Sequence, residues 1–184
     1  MGLAPEHDPA PAPRGAIDAI ELLLAQHRRL ETLLEVLVKP APPEVASGRL
    51  KRVGDELAVH MSAEELVFYP AVRAERTEDI LLESLEEHLS LKRLLADLLA
   101  LPVDDATFLP KCKVLREQAE HHHREEEEHL FPKVRNLLTD ERRGQLGREM
   151  LQQQQRLRQD GPPREVAAAQ TDAAESLDPV PPAG

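Results

Sequence analysis

Residues 119–134 read Ala119-Glu120-His121-His122-His123-Arg124-Glu125-Glu126-Glu127-Glu128-His129-Leu130-Phe131-Pro132-Lys133-Val134. Around this stretch Leu115, Ala119, Leu130, Val134 and Leu138 recur at helical spacing, which marks one buried helix face. His122 and Glu126 fall inside that stripe, four positions apart. Side chains at i and i+4 project from the same face, so an imidazole and a carboxylate are aimed at a core. A buried ionised carboxylate is strongly unfavourable unless something compensates its charge.

The pattern occurs twice. His60-Met61-Ser62-Ala63-Glu64-Glu65-Leu66-Val67-Phe68-Tyr69-Pro70 has the same four-residue spacing from His to Glu, and in both stretches Pro follows the His by ten. A shift of 62 positions lays Val53 on Leu115, Leu57 on Ala119, His60 on His122, Glu64 on Glu126, Pro70 on Pro132 and Val72 on Val134. A shift of 61 lays Ile20 on Leu81, Leu24 on Leu85, His27 on His88, Leu30 on Leu91, Leu34 on Leu95 and Leu37 on Leu98. Apolar coincidences are expected of any two amphipathic helices. The polar ones identify an internal repeat of two helix pairs.

Four helices follow from the periodicity: Ala16 to Val38, Pro43 to Val72, Glu78 to Leu101, and Asp105 to Leu138. Inward stripes are Ile20, Leu23, Leu24, Leu30, Leu34 and Leu37 in the first, and Leu50, Val53, Leu57 and Val67 in the second. The third carries Leu81, Leu85, Leu91, Leu95 and Leu98, with Thr77 as its expected N-cap. Pro40, Pro42, Pro43 and Pro102 punctuate the connections. No segment alternates as a strand would. The expected fold is all-α, an up-down-up-down four-helix bundle over residues 16–150. Residues 1–15 form an expected disordered leader, and residues 151–184 an expected disordered, polar and Pro-rich tail. A weaker, polar helical pattern runs from Thr139 to about Arg158.

The chain has 184 residues, enough for one such domain. Aromatic residues make up only 2 %, with no Trp, so the core is aliphatic and suits helices better than sheets. The net charge of −11 opposes phosphate backbones and anionic membrane surfaces. Neither a nucleic acid nor a membrane is an expected partner. A single cysteine, Cys112, excludes an intramolecular disulfide. No signal peptide and no transmembrane stretch are read in the chain, and the expected compartment is the cytoplasm.

Between them the four helices present His27, His60, Glu64, His88, His122 and Glu126 inward: one His from each odd helix, a His–Glu pair from each even one. Imidazole with carboxylate suits iron, and also manganese or zinc. Six donors exceed one tetrahedral zinc site and suit two ions, with the glutamates free to bridge. The Glu-x-x-His motif of ferritin-like bundles is absent at His27 and His88, where Leu24 and Leu85 stand three before.

On these motifs, and on Glu86-Glu87-His88 with Lys92 in the third helix, residues 16–138 resemble the hemerythrin-like family of HHE cation-binding domains. The resemblance implies two non-haem iron ions, oxo- or hydroxo-bridged, that meet dioxygen, peroxide or nitric oxide. It carries over His27, His60, Glu64, His88, His122 and Glu126 as metal ligands, with Glu127 competing with Glu126 and His123 with His122. Oxygen carriers of the family have a second third-helix His, where this chain has Ser84 and Lys92. That departure turns the expected role from oxygen carriage toward handling of oxygen, peroxide or related reactive species, with catalase-like turnover left open and iron storage or oxygen and nitric-oxide sensing as the alternative. Monomer and homo-oligomer both stay open.

Overall fold

A computed structural model describes residues 17–74 and 76–177. Among the described residues all regular structure is helical, as the aliphatic stripes require. The leader expected over residues 1–15 lies outside them.

Helix α1 (Ala19–Leu37) starts where the Asp18 side chain accepts the Ile20 N–H at 2.8 Å, satisfying one of the free donors of a helix N-terminus. Helix α2 (Pro43–Ala63) begins on a proline, which loses no hydrogen bond there. It passes through a π-helical stretch (Glu64–Phe68) into α3 (Tyr69–Val72). Helix α4 (Glu78–Ala100) follows. Helix α5 (Phe108–Glu125) repeats the α2 design, running through a π-helical stretch (Glu126–Leu130) into α6 (Phe131–Leu137). Thr77 does not cap α4 with its side chain. Its hydroxyl turns back and donates to the carbonyl of Val72 at 2.9 Å, because the tight turn before α4 leaves that carbonyl without a helical partner.

Two apolar clusters divide the interior. One holds Leu30, Leu34, Leu50, Val53, Leu57, Leu91, Leu95, Phe108, Leu115 and Ala119. The other holds Ile20, Leu23, Phe68, Tyr69, Leu81, Leu85, Leu130 and Val134. The chain runs from the second cluster to the first along α1 and α4, and returns along α2 and α5. Helix α1 packs on α2 and α5, and α4 packs on α5 and α2. The polar layer lies where each helix passes from one cluster to the other.

The weaker helical pattern read from Thr139 to about Arg158 forms a helix, while the described part of the expected tail, residues 151–177, is partly helical. Helix α7 (Asp140–Gln159) is capped by Thr139, whose hydroxyl accepts the Arg142 N–H at 3.2 Å, and α8 (Pro163–Ala169) follows a turn at Gly161 with φ of +131°. Few apolar residues suffice because they are well placed. Leu146 and Met150 complete the second cluster and Ala167 the first. Bare glycines allow close approach: a Cβ at Gly147 would lie 2.0 Å from the Ile17 carbonyl oxygen, and one at Gly54 would lie 3.0 Å from Arg164 Cβ. Arg164 seals the second contact by pairing with Asp55 at 2.9 Å. No helix among the described residues is long and apolar enough to cross a membrane.

Candidate metal centre

The repeated proline shapes the site. Pro70 and Pro132 cannot donate a backbone hydrogen bond, and a proline ring crowds the carbonyl four residues before it. In both halves the chain answers with an extra residue in the preceding turn. The N–H of Tyr69 reaches back five residues to Glu64 O, and that of Phe131 to Glu126 O. Such π-turns shift the helix face by about one residue. Leu66 is therefore exposed, Val67 is only half-buried instead of inward, and Phe68 and Tyr69 take the core positions.

All six residues expected as ligands lie in the polar layer, each at most 1 % exposed. Glu64 Oε2 stands 3.3 Å from His60 Nε2 on its own helix and 3.4 Å from His88 Nε2 on α4. Glu126 Oε2 stands 3.7 Å from His122 Nε2 and 3.3 Å from His27 Nε2 on α1. His88 Nε2 and His122 Nε2 are 2.9 Å apart. The donors form two overlapping groups, His27–His60–Glu64–Glu126 and Glu64–His88–His122, with ligand atoms inside each within 4.8 Å of one another. Glu64 belongs to both.

An outer ring of acceptors orients these imidazoles. Nδ1–H donates to Glu127 from His27 (2.7 Å), to Gln26 from His60 (3.1 Å), to Glu65 from His88 (2.9 Å) and to Glu87 from His122 (2.7 Å). Carboxylates only accept, so the proton sits on Nδ1 and the Nε2 lone pair faces inward, the arrangement metal-ligating histidines use. Lys92 Nζ donates to the other oxygen of Glu65 at 2.7 Å. The Tyr69 hydroxyl donates to Glu126 Oε1 at 2.9 Å. Gln26 exchanges hydrogen bonds with Gln154 of α7 at 3.0 and 3.2 Å, so the glutamine run at the C-terminal end reaches the site through His60.

Spacing assigned these outer residues no orienting role, and Glu127 stood only as a rival to Glu126, yet the repeat contains them. Glu65 and Glu127 directly follow the inward glutamates, and Gln26 and Glu87 directly precede the odd-helix histidines. Each therefore sits one step around its helix from the inner layer and meets a histidine of a neighbouring helix. Glu127, 37 % exposed, holds His27 from outside, while Glu126 is the carboxylate turned in. His122 and His123 are both buried. His122 faces His88, whereas His123 stacks on His27 with centroids 4.0 Å apart.

Burial pushes the Glu64 carboxyl well above the ordinary carboxylate range, and the charge of Glu126 adds to that. Burial pushes Glu126 the same way, but the imidazoles of His122, His27 and His60 outweigh it and hold that group well below the range. Without a cation the pair is thus one neutral and one ionised carboxyl. Burial lowers His60 and His123 well below 6.5, reinforced by the neighbouring histidines. Burial also lowers His88, helped by His122 and against Glu65. At His27 burial is overcome by Glu126 and Glu127, which raise it.

A cation fits this donor set. His27 Nε2, His60 Nε2, both Glu64 oxygens and Glu126 Oε2 are buried without a hydrogen-bond partner. Buried polar atoms are rarely left so, and all five converge on one small volume. Nitrogen and carboxylate oxygen donors in this number match a first-row transition metal.

Comparison with known proteins reaches the same layer. The chain is 27 % identical over 121 residues to a DNA nickase of Nostoc sp. (strain PCC 7120 / SAG 25.82 / UTEX 2576), which covers 66 % of this chain but 34 % of that protein. The chain thus spans about a third of the relative's length. No solved structure matches it. The model of the hemerythrin HHE cation binding domain matches residues 18–134. Every inward histidine and glutamate of the polar layer falls inside that match, and the chain belongs to the hemerythrin HHE cation-binding family.

Proposed function

We propose that this protein holds two iron ions in a four-helix bundle of two helix-pair repeats, and that this centre reacts with dioxygen, peroxide or nitric oxide. The supporting observation is a pair of buried donor groups that share Glu64, one of which holds five atoms without a hydrogen-bond partner. The ligands proposed are His27, His60, Glu64, His88, His122 and Glu126, with Glu64 and Glu126 as the bridging candidates. Iron bound there would supply one-electron redox chemistry and Lewis acidity toward a small oxygen or nitrogen species.

The chain's own residues prepare that chemistry. Glu127, Gln26, Glu65 and Glu87 fix the four imidazole tautomers before any ion arrives. Tyr69 holds Glu126 through Oε1 and leaves Oε2 free. The apolar clusters on either side keep bulk water from the layer. A surface cleft lined by Ser84, Glu87, Glu125 and Pro132 reaches Glu87, the acceptor behind His122.

The cytoplasm is the compartment we assign, on the lone buried cysteine. With a net charge of −11, contact with DNA is not part of the proposal, and the nicking activity of the longer relative is not extended to this chain. The near-complete burial of all six donors favours, as a second reading, storage or sensing without turnover.

The test is anaerobic loading of metal-free protein with ferrous iron, metal analysis, then optical spectra on adding oxygen and peroxide. Two iron per chain and new charge-transfer bands are expected. Protein that takes up no iron and gains no thermal stability from it would overturn the proposal. Peroxide consumption no faster than that of free iron would select the second reading.

A further inference from the structure

We propose that His123 is a seventh protein donor, binding the ion held by His27 and His60 and making the two metal positions unequal. The inference rests on the proposed metal centre and extends its ligand set.

His123 is 1 % exposed, and both its Nδ1 and Nε2 lack a hydrogen-bond partner. The four other buried imidazoles each have Nδ1 anchored by an outer acceptor. A core histidine kept for packing normally satisfies its polar atoms, and this one satisfies neither. Its surroundings account for it. The ring lies parallel to His27, 4.0 Å between centroids and 8° between planes. It is nearly perpendicular to His60 at 5.4 Å and 89°. One nitrogen from each of His27, His60 and His123 lies within 4.8 Å of the others, the spacing of three imidazoles on one face of a single ion.

The internal repeat gives a control. The shift of 62 that lays His60 on His122 lays Met61 on His123. Met61 is fully buried among apolar residues, so this helix position accepts an apolar side chain in the other half. A buried histidine there is a departure from packing, and it occurs only on the side facing His27 and His60. One ion would then see His27, His60 and His123, the other His88 and His122, with Glu64 and Glu126 between them. The imidazole missing from the third helix at Ser84 and Lys92 reappears on the fourth helix, beside the opposite ion.

The experiment titrates metal-free wild type, His123→Gln and His123→Leu with cobalt(II), reading affinity by calorimetry, coordination by visible absorption and metal-free melting by circular dichroism. Wild type is expected to bind in two steps. Loss of an outer hydrogen-bonding partner typically weakens a metal site about 10–100-fold, so loss of a direct ligand is expected to cost at least that in one step only, with a changed cobalt spectrum. His123→Leu should melt no lower than wild type when metal-free, because it removes two unsatisfied atoms. His88→Gln should weaken the other step. Two steps of unchanged affinity and spectrum in both His123 variants would overturn the inference while leaving the metal centre intact. So would a lower metal-free melting temperature with both steps weakened alike, the mark of a packing role. Wild type that binds no cobalt would overturn the metal centre and this inference together.

Discussion

Replacing Glu64 with Gln should make the metal-free protein more stable and the metal-loaded protein less so. Glu64 is fully buried, neither oxygen has a hydrogen-bond partner, and Glu126 faces it. Without metal the folded state therefore keeps Glu64 protonated, because burial and the Glu126 charge raise its pKa well above the usual value. A group raised in this way contributes its full stability below the unfolded pKa, about 4.3 for a glutamate, and loses it as pH rises toward the folded value. The amide of Gln carries no such dependence but also finds few partners, so only part of the desolvation cost is recovered, about 1–2 kcal/mol. In a chain of this size that corresponds to a rise in melting temperature of roughly 2–8 °C. The difference should be largest near pH 8 and shrink toward pH 5, and the histidine contributions, common to both proteins, cancel from it. With metal the sign reverses. Wild type gains about 2.7 kcal/mol per ion at a hundredfold excess over its dissociation constant, and the variant forfeits much of that by losing the carboxylate shared by both donor groups. Thermal unfolding followed by circular dichroism, with and without ferrous iron under anaerobic conditions at both pH values, reads all four quantities. If the metal-free variant melts below wild type at pH 8 while its metal-induced shift is undiminished, Glu64 is a structural residue and the reasoning is refuted.

Lys92→Met leaves Glu65 buried without its cation, and breaking a buried pair costs about 3–5 kcal/mol. Because Glu65 holds His88, metal affinity should fall about 10–100-fold as well; urea unfolding and metal titration check both, and a variant within about 1 kcal/mol of wild type contradicts the ion pair's role. Gly147→Ala would raise stability by up to about 1 kcal/mol in an open helix, but here the added Cβ meets the Ile17 carbonyl oxygen at 2.0 Å, so a loss of about 1–3 kcal/mol is expected by denaturant titration. Metal-free protein should lose stability as pH falls below about 6.5, since His60, His88 and His123 resist protonation when folded and the unfolded chain takes up those protons first. His27, raised by its glutamates, and Glu64, raised by burial, oppose these three histidines, and a flat melting profile from pH 7.5 to 5.5 would count against this balance. Cys112 is buried with its thiol pushed up to about 11, so iodoacetamide at neutral pH should label it only after denaturation, as mass spectrometry can read; rapid labelling of the folded protein would contradict its burial.

The helices, their inward faces and the six polar residues on those faces were legible in the sequence because each depends on spacing within one helix. Ile20 to Leu37 and Leu81 to Leu98 describe their helices without reference to anything distant. The repeat added what a single stripe lacks: His60 with Glu64, and His122 with Glu126, could not both be accidents. Spacing could not show the π-turns at Glu64 and Glu126, since these arise from a proline and the backbone's answer to it. They moved Val67 off the core and brought in Tyr69. The apolar phase favoured His122 over His123 but did not show that both are buried, and it left Glu127 as a rival to Glu126. Adjacent residues on a helix point about 100° apart, and which of them is inside depends on where neighbouring helices stand. With α1 and α2 on one side and α4 on the other, both histidines are buried and Glu127 is left outside. The largest omission was α8 and the docking of α7, whose helical pattern from Thr139 to about Arg158 was legible. Gln154 and Arg164 fall in the stretch expected as a disordered tail, yet Gln26 and Asp55 lie opposite them across 128 and 109 residues. By itself the sequence determined an all-helical chain with amphipathic stripes and a paired set of inward histidines and glutamates, since those follow from local periodicity. Only the tertiary structure decided which atoms meet in the polar layer and what holds them there, since hydrogen bonds between distant helices leave no period in the chain.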